Sequence, residues 1–209
     1  MATPFVTLPE KVAVDHTAVI VIDMQNDFCA EKGAIPQSGK SIASIRRMIP
    51  ALQQFLDAAR RRGVTVIFVQ AIRVAGDVSM PMKELWLREG PHGGLCVKGT
   101  WGVELIPEIQ PHPGEIIINK TRYSAFVRTD LEAKLHDMKI TSLIITGVAT
   151  DVCVESTSRD AFMRDFYVIV PRDLVAGNDE SLHDKTLTCL SRYFGTVTTS
   201  KDILQAWGM

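Results

Sequence analysis

The stretch Ser142-Leu-Ile-Ile-Thr-Gly147-Val-Ala-Thr-Asp-Val-Cys153 decides the fold. Its first half is apolar and β-branched and runs into a glycine. Its second half is short and polar and delivers a cysteine to a stretch of helical character reaching about residue 164. A continuous apolar run bounded in this way reads as a strand buried on both faces. Working outward, the same unit recurs. Residues 18–23, 64–70, 115–119 and 166–170 are equally apolar runs. Amphipathic stretches at 40–62, 130–138 and 180–193 lie between or after them, and a short strand is expected at 196–198. Gly63 is a helix stop, and Leu131, Leu135 and Met138 fall at helical spacing. Strand–helix alternation predicts an α/β fold: a parallel sheet with helices on both faces.

The totals fit one domain spanning residues 1–209 with a sizeable core. Formal net charge is −1, and the one tight basic cluster is Arg60-Arg61-Arg62. That triplet sits near a predicted helix end, where cations suit the dipole, so nucleic-acid binding has no further support. The apolar run at 18–22 is far too short to span a bilayer, and the N-terminus lacks a secretory pattern. The four cysteines are widely spaced, with no CxxC pair. They suggest neither a disulfide framework nor a zinc site, and a reducing cytoplasm is the expectation.

In an open parallel sheet, ligands bind beyond the carboxyl ends of the strands. The strand ends here offer Asp23, then Asn119-Lys120, then the turn that carries Cys153. A carboxylate, an ammonium and a thiol on one rim suit nucleophilic catalysis. A thiol must lose its proton to attack a carbonyl. A helix start and Lys120 are expected to favour the thiolate, and Asp23 can move the proton. Backbone N–H groups around the turn can hold an oxyanion. Each residue alone has a structural alternative: a cap, a solvated cation, a buried thiol. Cys29, Cys96 and Cys189 lack such a setting and read as core or incidental.

Three segments make the sequence recognisable. Val21-Ile-Asp-Met-Gln-Asn-Asp-Phe28, Asn119-Lys-Thr-Arg-Tyr-Ser-Ala-Phe126 and Thr146-Gly-Val-Ala-Thr-Asp-Val-Cys-Val-Glu-Ser-Thr157 resemble the isochorismatase-like cysteine hydrolase family. The resemblance implies a six-stranded sheet in the order 3-2-1-4-5-6 and an Asp–Lys–Cys triad matching Asp23, Lys120 and Cys153. It also implies a non-proline cis peptide between Val148 and Ala149, with an oxyanion hole formed by the Ala149 and Cys153 N–H groups. True isochorismatases do not use a cysteine nucleophile, so Cys153 points to C–N cleavage through a thioester. Nicotinamidases carry an Asp and two His metal ligands after the second strand, whereas Gln70-Ala-Ile-Arg-Val-Ala-Gly-Asp77 has no histidine. No metal and no cofactor are therefore expected. The chain looks most like the carbamoyl-directed members, the ureidoacrylate, biuret and N-carbamoyl amidohydrolases; Lys98-Gly-Thr-Trp-Gly102, Arg122-Tyr-Ser and Val154-Glu-Ser-Thr-Ser-Arg-Asp160 are similar to the ureidoacrylate-directed members in particular. The implied reaction is hydrolysis of a small ureido or amide compound. A nicotinamidase-type or other small-amide hydrolase, or a catalytically silent binding protein on the same fold, is the alternative.

Candidate substrate-binding residues follow from position. Phe28 can form an apolar wall, Trp101 and Tyr123 can close the site, and Gln70 can bond a carbamoyl group or cap a turn. Arg73 and Arg122 can grip a carboxylate or form surface salt bridges. His183 reads as structural. Residues 71–113, with His92-Gly-Gly and a Trp-Gly pair, break the rhythm and are expected to form a lid or an intersubunit contact. The resemblance implies a homodimer or homotetramer.

Overall fold

The computed structural model describes residues 3–74, 76–89 and 94–209, so His92 and Gly93 of the insertion lie outside the described residues. The strands are β1 (Thr17–Ile22), β2 (Thr65–Ala71), β3 (Ile116–Lys120), β4 (Ser142–Val148), β5 (Tyr167–Pro171), β6 (Val175–Ala176) and β7 (Thr196–Thr198). The helices are α1 (Leu8–Lys11), α2 (Asn26–Cys29), α3 (Ala34–Gln37), α4 (Ala43–Arg61), α5 (Met80–Glu89), α6 (Leu131–Asp137), α7 (Glu155–Phe162), α8 (Glu180–Tyr193) and α9 (Ser200–Ala206). All the strand pairings are parallel.

β1 is the middle of the sheet and every one of its residues is buried. Its side chains alternate between two cores. Val19 and Val21 join Leu52 and Phe55 of α4, Phe68 of β2 and Trp207. Ala18, Ile20 and Ile22 join Leu131 and Leu135 of α6, Ile145 of β4 and Leu190 of α8. A strand covered on both faces must be apolar at every position, which is why it shows no alternation in sequence. Arg60, from the basic triplet, is tied to Glu115 before β3 through bonds of 2.8 and 2.9 Å.

The strand order is β3-β2-β1-β4-β5-β7, with β6 beside β4. The order implied by the resemblance holds, but the described sheet has seven strands rather than six. On its β4 side, β5 pairs only along Ser142–Ile144, and it ends at Pro171, which has no N–H to continue the ladder toward β4. The chain makes a short 3-10 turn at Arg172–Leu174 and returns as β6 against Gly147 and Val148. This two-residue strand supports the end of β4 that presents the cysteine turn. The insertion also differs from expectation, because it contains α5. Its signal was a serine followed by Met80-Pro81: the Ser79 hydroxyl accepts from the Met82 N–H at 3.4 Å, with proline in the first turn.

Candidate active site

Three strand ends bring the chemistry together. Asp23 follows β1 at φ 53°, a left-handed conformation that an aspartate tolerates better than a branched residue. Its N–H donates to Val69 O at 2.9 Å, which fixes it against β2. Lys120 ends β3 and is fully buried. Cys153 lies in a π-type turn, Thr150–Val154, between β4 and α7. Gly147 makes the approach possible. Its φ is 101°, and a Cβ there would fall on the carbonyl of Ile22 in the neighbouring strand. The peptide between Val148 and Ala149 is cis.

Lys120 Nζ is the hub of the site. It donates to Asp23 Oδ2 at 2.8 Å, to Cys153 Sγ at 3.3 Å and to the carbonyl of Arg122 at 3.2 Å. All three of its donors are thus used. Burial works against its charge, but the Asp23 carboxylate and the Cys153 sulfur outweigh this and hold its pKa above the usual lysine value. Asp23 Oδ1 is buried with no hydrogen-bond partner among the described residues. It is an acceptor left available for a proton.

Cys153 departs from the sequence expectation. Burial pushes its thiol pKa up to about 12; Lys120 lowers it and Asp23 raises it. A short turn at a helix start and one ammonium do not offset desolvation and a facing carboxylate. Burial thus favours the protonated thiol over the thiolate. Cys29 and Cys96 are raised for the same first reason, burial, and Asp23 adds to it in both.

A cavity of about 590 Å³ opens over this trio. Phe28, Arg73, Arg122, Tyr123 and Ala149 line it together with Asp23, Lys120 and Cys153. Burial, first, and the facing Cys153 sulfur raise the Tyr123 hydroxyl pKa, so the phenol stays protonated. Gln70 and Trp101 are not brought to its wall. The Gln70 amide turns to Val103 O at 3.3 Å. Trp101 is 49% exposed, and its carbonyl accepts from Asn26 Nδ2 at 2.8 Å. Both anchor the insertion rather than the cavity, because the 3-10 turn at Trp101–Val103 packs against α2.

Sequence reasoning missed other wall residues: Trp86 and Leu95 from the insertion, and Asp151, Asn178 and Asp179 from the β4 and β6 ends. The loop after β6 was hidden because a two-residue strand gives no periodicity. Asp27 was also missed. It is buried, and it accepts from Cys96 N at 2.6 Å and Ala34 N at 3.2 Å, with Gly102 leaving the space it fills. His183 packs as expected, with Nδ1 2.8 Å from the Thr150 hydroxyl. Among the described residues no group of three His, Cys, Asp or Glu side chains is placed to hold a metal ion. No described helix is long and apolar enough to cross a membrane.

Comparison with known proteins adds to this geometry. The Isochorismatase domain family matches residues 17–202. The ureidoacrylate amidohydrolase of Rhizobium rhizogenes is 34% identical over 209 residues, covering 93% of this chain and 85% of its own. A cysteine hydrolase from Pseudomonas syringae superposes with a TM-score of 0.87 at 29% identity, over 100% of this chain and 99% of the other. The N-carbamoylsarcosine amidase of Thermoplasma acidophilum gives 0.72 at 28% identity, over 88% and 96%.

Proposed function

The chain belongs to the isochorismatase domain family, and from that premise we propose that it is a cysteine amidohydrolase cleaving a C–N bond of a small ureido or amide compound. One observation carries the reading: a buried ammonium bridges a carboxylate and a thiol at the floor of a cavity of about 590 Å³. The similarity to a ureidoacrylate amidohydrolase and to an N-carbamoylsarcosine amidase supports the same bond type.

The steps follow from the groups present. Cys153 Sγ attacks the carbonyl carbon while its proton passes to Asp23, whose Oδ1 is free to accept it. The S–C bond forms and the carbonyl oxygen takes the negative charge, held by the N–H groups of Ala149 and Cys153. Lys120 keeps its positive charge beside the developing thiolate and does not itself donate the proton. Collapse of the adduct breaks the C–N bond, and Asp23 returns its proton to the departing nitrogen. Ammonia or an amine leaves. Water, deprotonated by Asp23, then attacks the thioester; the acid departs and the sulfur regains its proton. Phe28 and Tyr123 supply a wall that keeps bulk water from the thioester. The reading includes self-association as a homodimer or homotetramer, supported by the exposed apolar side chains Met80, Leu87 and Met163.

The test is ammonia release from ureidoacrylate, biuret, N-carbamoyl amino acids, simple amides and nicotinamide, with and without chelator. Cys153→Ala is expected to lose turnover by roughly 10⁵-fold or more, as removal of a nucleophile does elsewhere. Full activity in that variant would refute the reading, and activity abolished by chelation would replace it with a metal-dependent one.

A further inference from the structure

The cavity is charged unevenly. Arg73, after β2, and Arg122, after β3, line it on one side of β1. Asp151, after β4, and Asp179, after β6, line it on the other. Lys40 lines the cavity too, so the sign of the wall alone does not place an anion; what already occupies each arginine does. The two arginines there differ in what already occupies them. Arg122 is committed. Its Nη1 donates to Asp77 O at 3.0 Å and to Thr121 O at 2.9 Å, and its Nη2 stands 3.8 Å from the Asp77 carboxylate. It shares the Asp77 carboxylate with Arg128, 3.4 Å away on the same oxygen, and its backbone carbonyl holds Lys120.

Arg73 is not matched in this way. Its Nη1 reaches Thr121 O at 3.4 Å, near the limit for a hydrogen bond. Its Nε is buried and has no hydrogen-bond partner among the described residues. No carboxylate pairs with it among the described ion pairs. The Trp86 ring lies 4.8 Å from its guanidinium carbon and holds the plane in place. Its backbone is pinned as well, by a bridge to Val97 with bonds of 2.8 and 3.0 Å. A buried guanidinium N–H without a partner is costly unless a ligand completes it. The geometry is that of a fork held ready for a planar, two-oxygen anion.

We propose that Arg73 binds a carboxylate of the substrate, so that the enzyme selects ureides or amides bearing an acid group at the end remote from the scissile carbonyl. This rests on the amidohydrolase reading above. Tyr123 and Trp86 line the same cavity as Arg73 and Cys153 and offer apolar surface to the body of the substrate.

The probes are 3-ureidopropionate and 3-methylbutylurea, in which an isopropyl group replaces the carboxylate. Binding of each is measured by calorimetry to Cys153→Ala, and turnover of each is followed in the parent. The acid is expected to bind the Cys153→Ala protein about 10- to 100-fold more tightly than the neutral urea, the range for a charge-assisted pair. Adding Arg73→Met is expected to erase that ratio while leaving affinity for the neutral urea within about 3-fold. Arg73→Lys, which keeps the charge without the fork, is expected to retain part of it and guards against misfolding of the methionine variant. In turnover, Arg73→Met should raise KM for the acid more than it lowers kcat. Equal binding of acid and neutral urea, no binding of either, or a preference that survives Arg73→Met overturns the proposal even if amidase activity persists. Arg73-dependent binding of the acid without any turnover in the parent sustains it and refutes the amidohydrolase reading instead.

Discussion

Lys120 and Arg73 are two cations in one cavity, and they are built on opposite terms. Lys120 ends a strand of the sheet, is fully buried, and spends all three donors within the protein. Arg73 opens the insertion after β2, leans on Trp86, and keeps a buried N–H unspent. Lys120 is thus fully partnered without a ligand and Arg73 is not; on the floor the one unmet atom is Asp23 Oδ1, an acceptor among the described residues. A reaction centre gains from groups fixed before substrate arrives, because they need no reorganisation in the transition state. A recognition group gains from an unmet bond that only the right ligand satisfies.

Stability measurements can break this comparison. Lys120→Met leaves Asp23 buried and unpaired, which is expected to cost about 3–5 kcal/mol. Arg73→Met loses one long hydrogen bond and one cation–π contact and is expected to cost about 1 kcal/mol. Urea unfolding of both variants checks the pair; equal losses would mean that Arg73 is as structural as Lys120. Gly147→Ala tests the frame that aligns the floor. With φ at 101° and the Ile22 carbonyl in the way, it is expected to cost about 1–3 kcal/mol or more in strain. Its activity should fall further than its stability, because the turn to Cys153 shifts.

The smallest effect is a slope. An unfolded cysteine titrates near pH 8.5, roughly, whereas burial holds the folded Cys153 thiol to about 12. Between those values the unfolded chain has lost a proton that the folded chain keeps, so stability falls as pH rises. The share from Cys153 is at most about 1.4 kcal/mol per pH unit. Urea midpoints of the parent and Cys153→Ala at pH 7.5, 9 and 10 should diverge by that slope. Parallel curves would show that the thiol is not held protonated, and with it that the sulfur rests as thiolate.

Much of the site was legible because it hangs on strand ends. Asp23, Lys120 and Cys153 each close an apolar run, and parallel strands in one sheet place such residues on one rim. Phe28, Arg73, Arg122 and Tyr123, within a few residues of those ends, also face the cavity. Gln70 was equally near in sequence but its amide turns to Val103 O, and Trp101 stays half exposed away from the cavity wall. Side chains on one strand alternate between faces, and a loop residue has no period at all, so proximity along the chain did not place them. The direction in which the Cys153 pKa is pushed was also out of reach. A helix start and a nearby lysine can be read from residue order; the depth of burial that outweighs them cannot.

The sequence by itself determined the parallel sheet, its central strands and the rim on which acid, ammonium and thiol meet. Apolar runs without alternation can be satisfied only by burial on both faces, and that requirement is local. Only the tertiary structure decided which arginine meets a carboxylate and which keeps a buried N–H without a partner among the described residues. Arg122 meets Asp77 across the insertion, Arg73 meets Trp86, and β6 shores up the turn that carries Cys153. Those contacts depend on how loops cross the sheet's edge, where no periodic pattern constrains the chain.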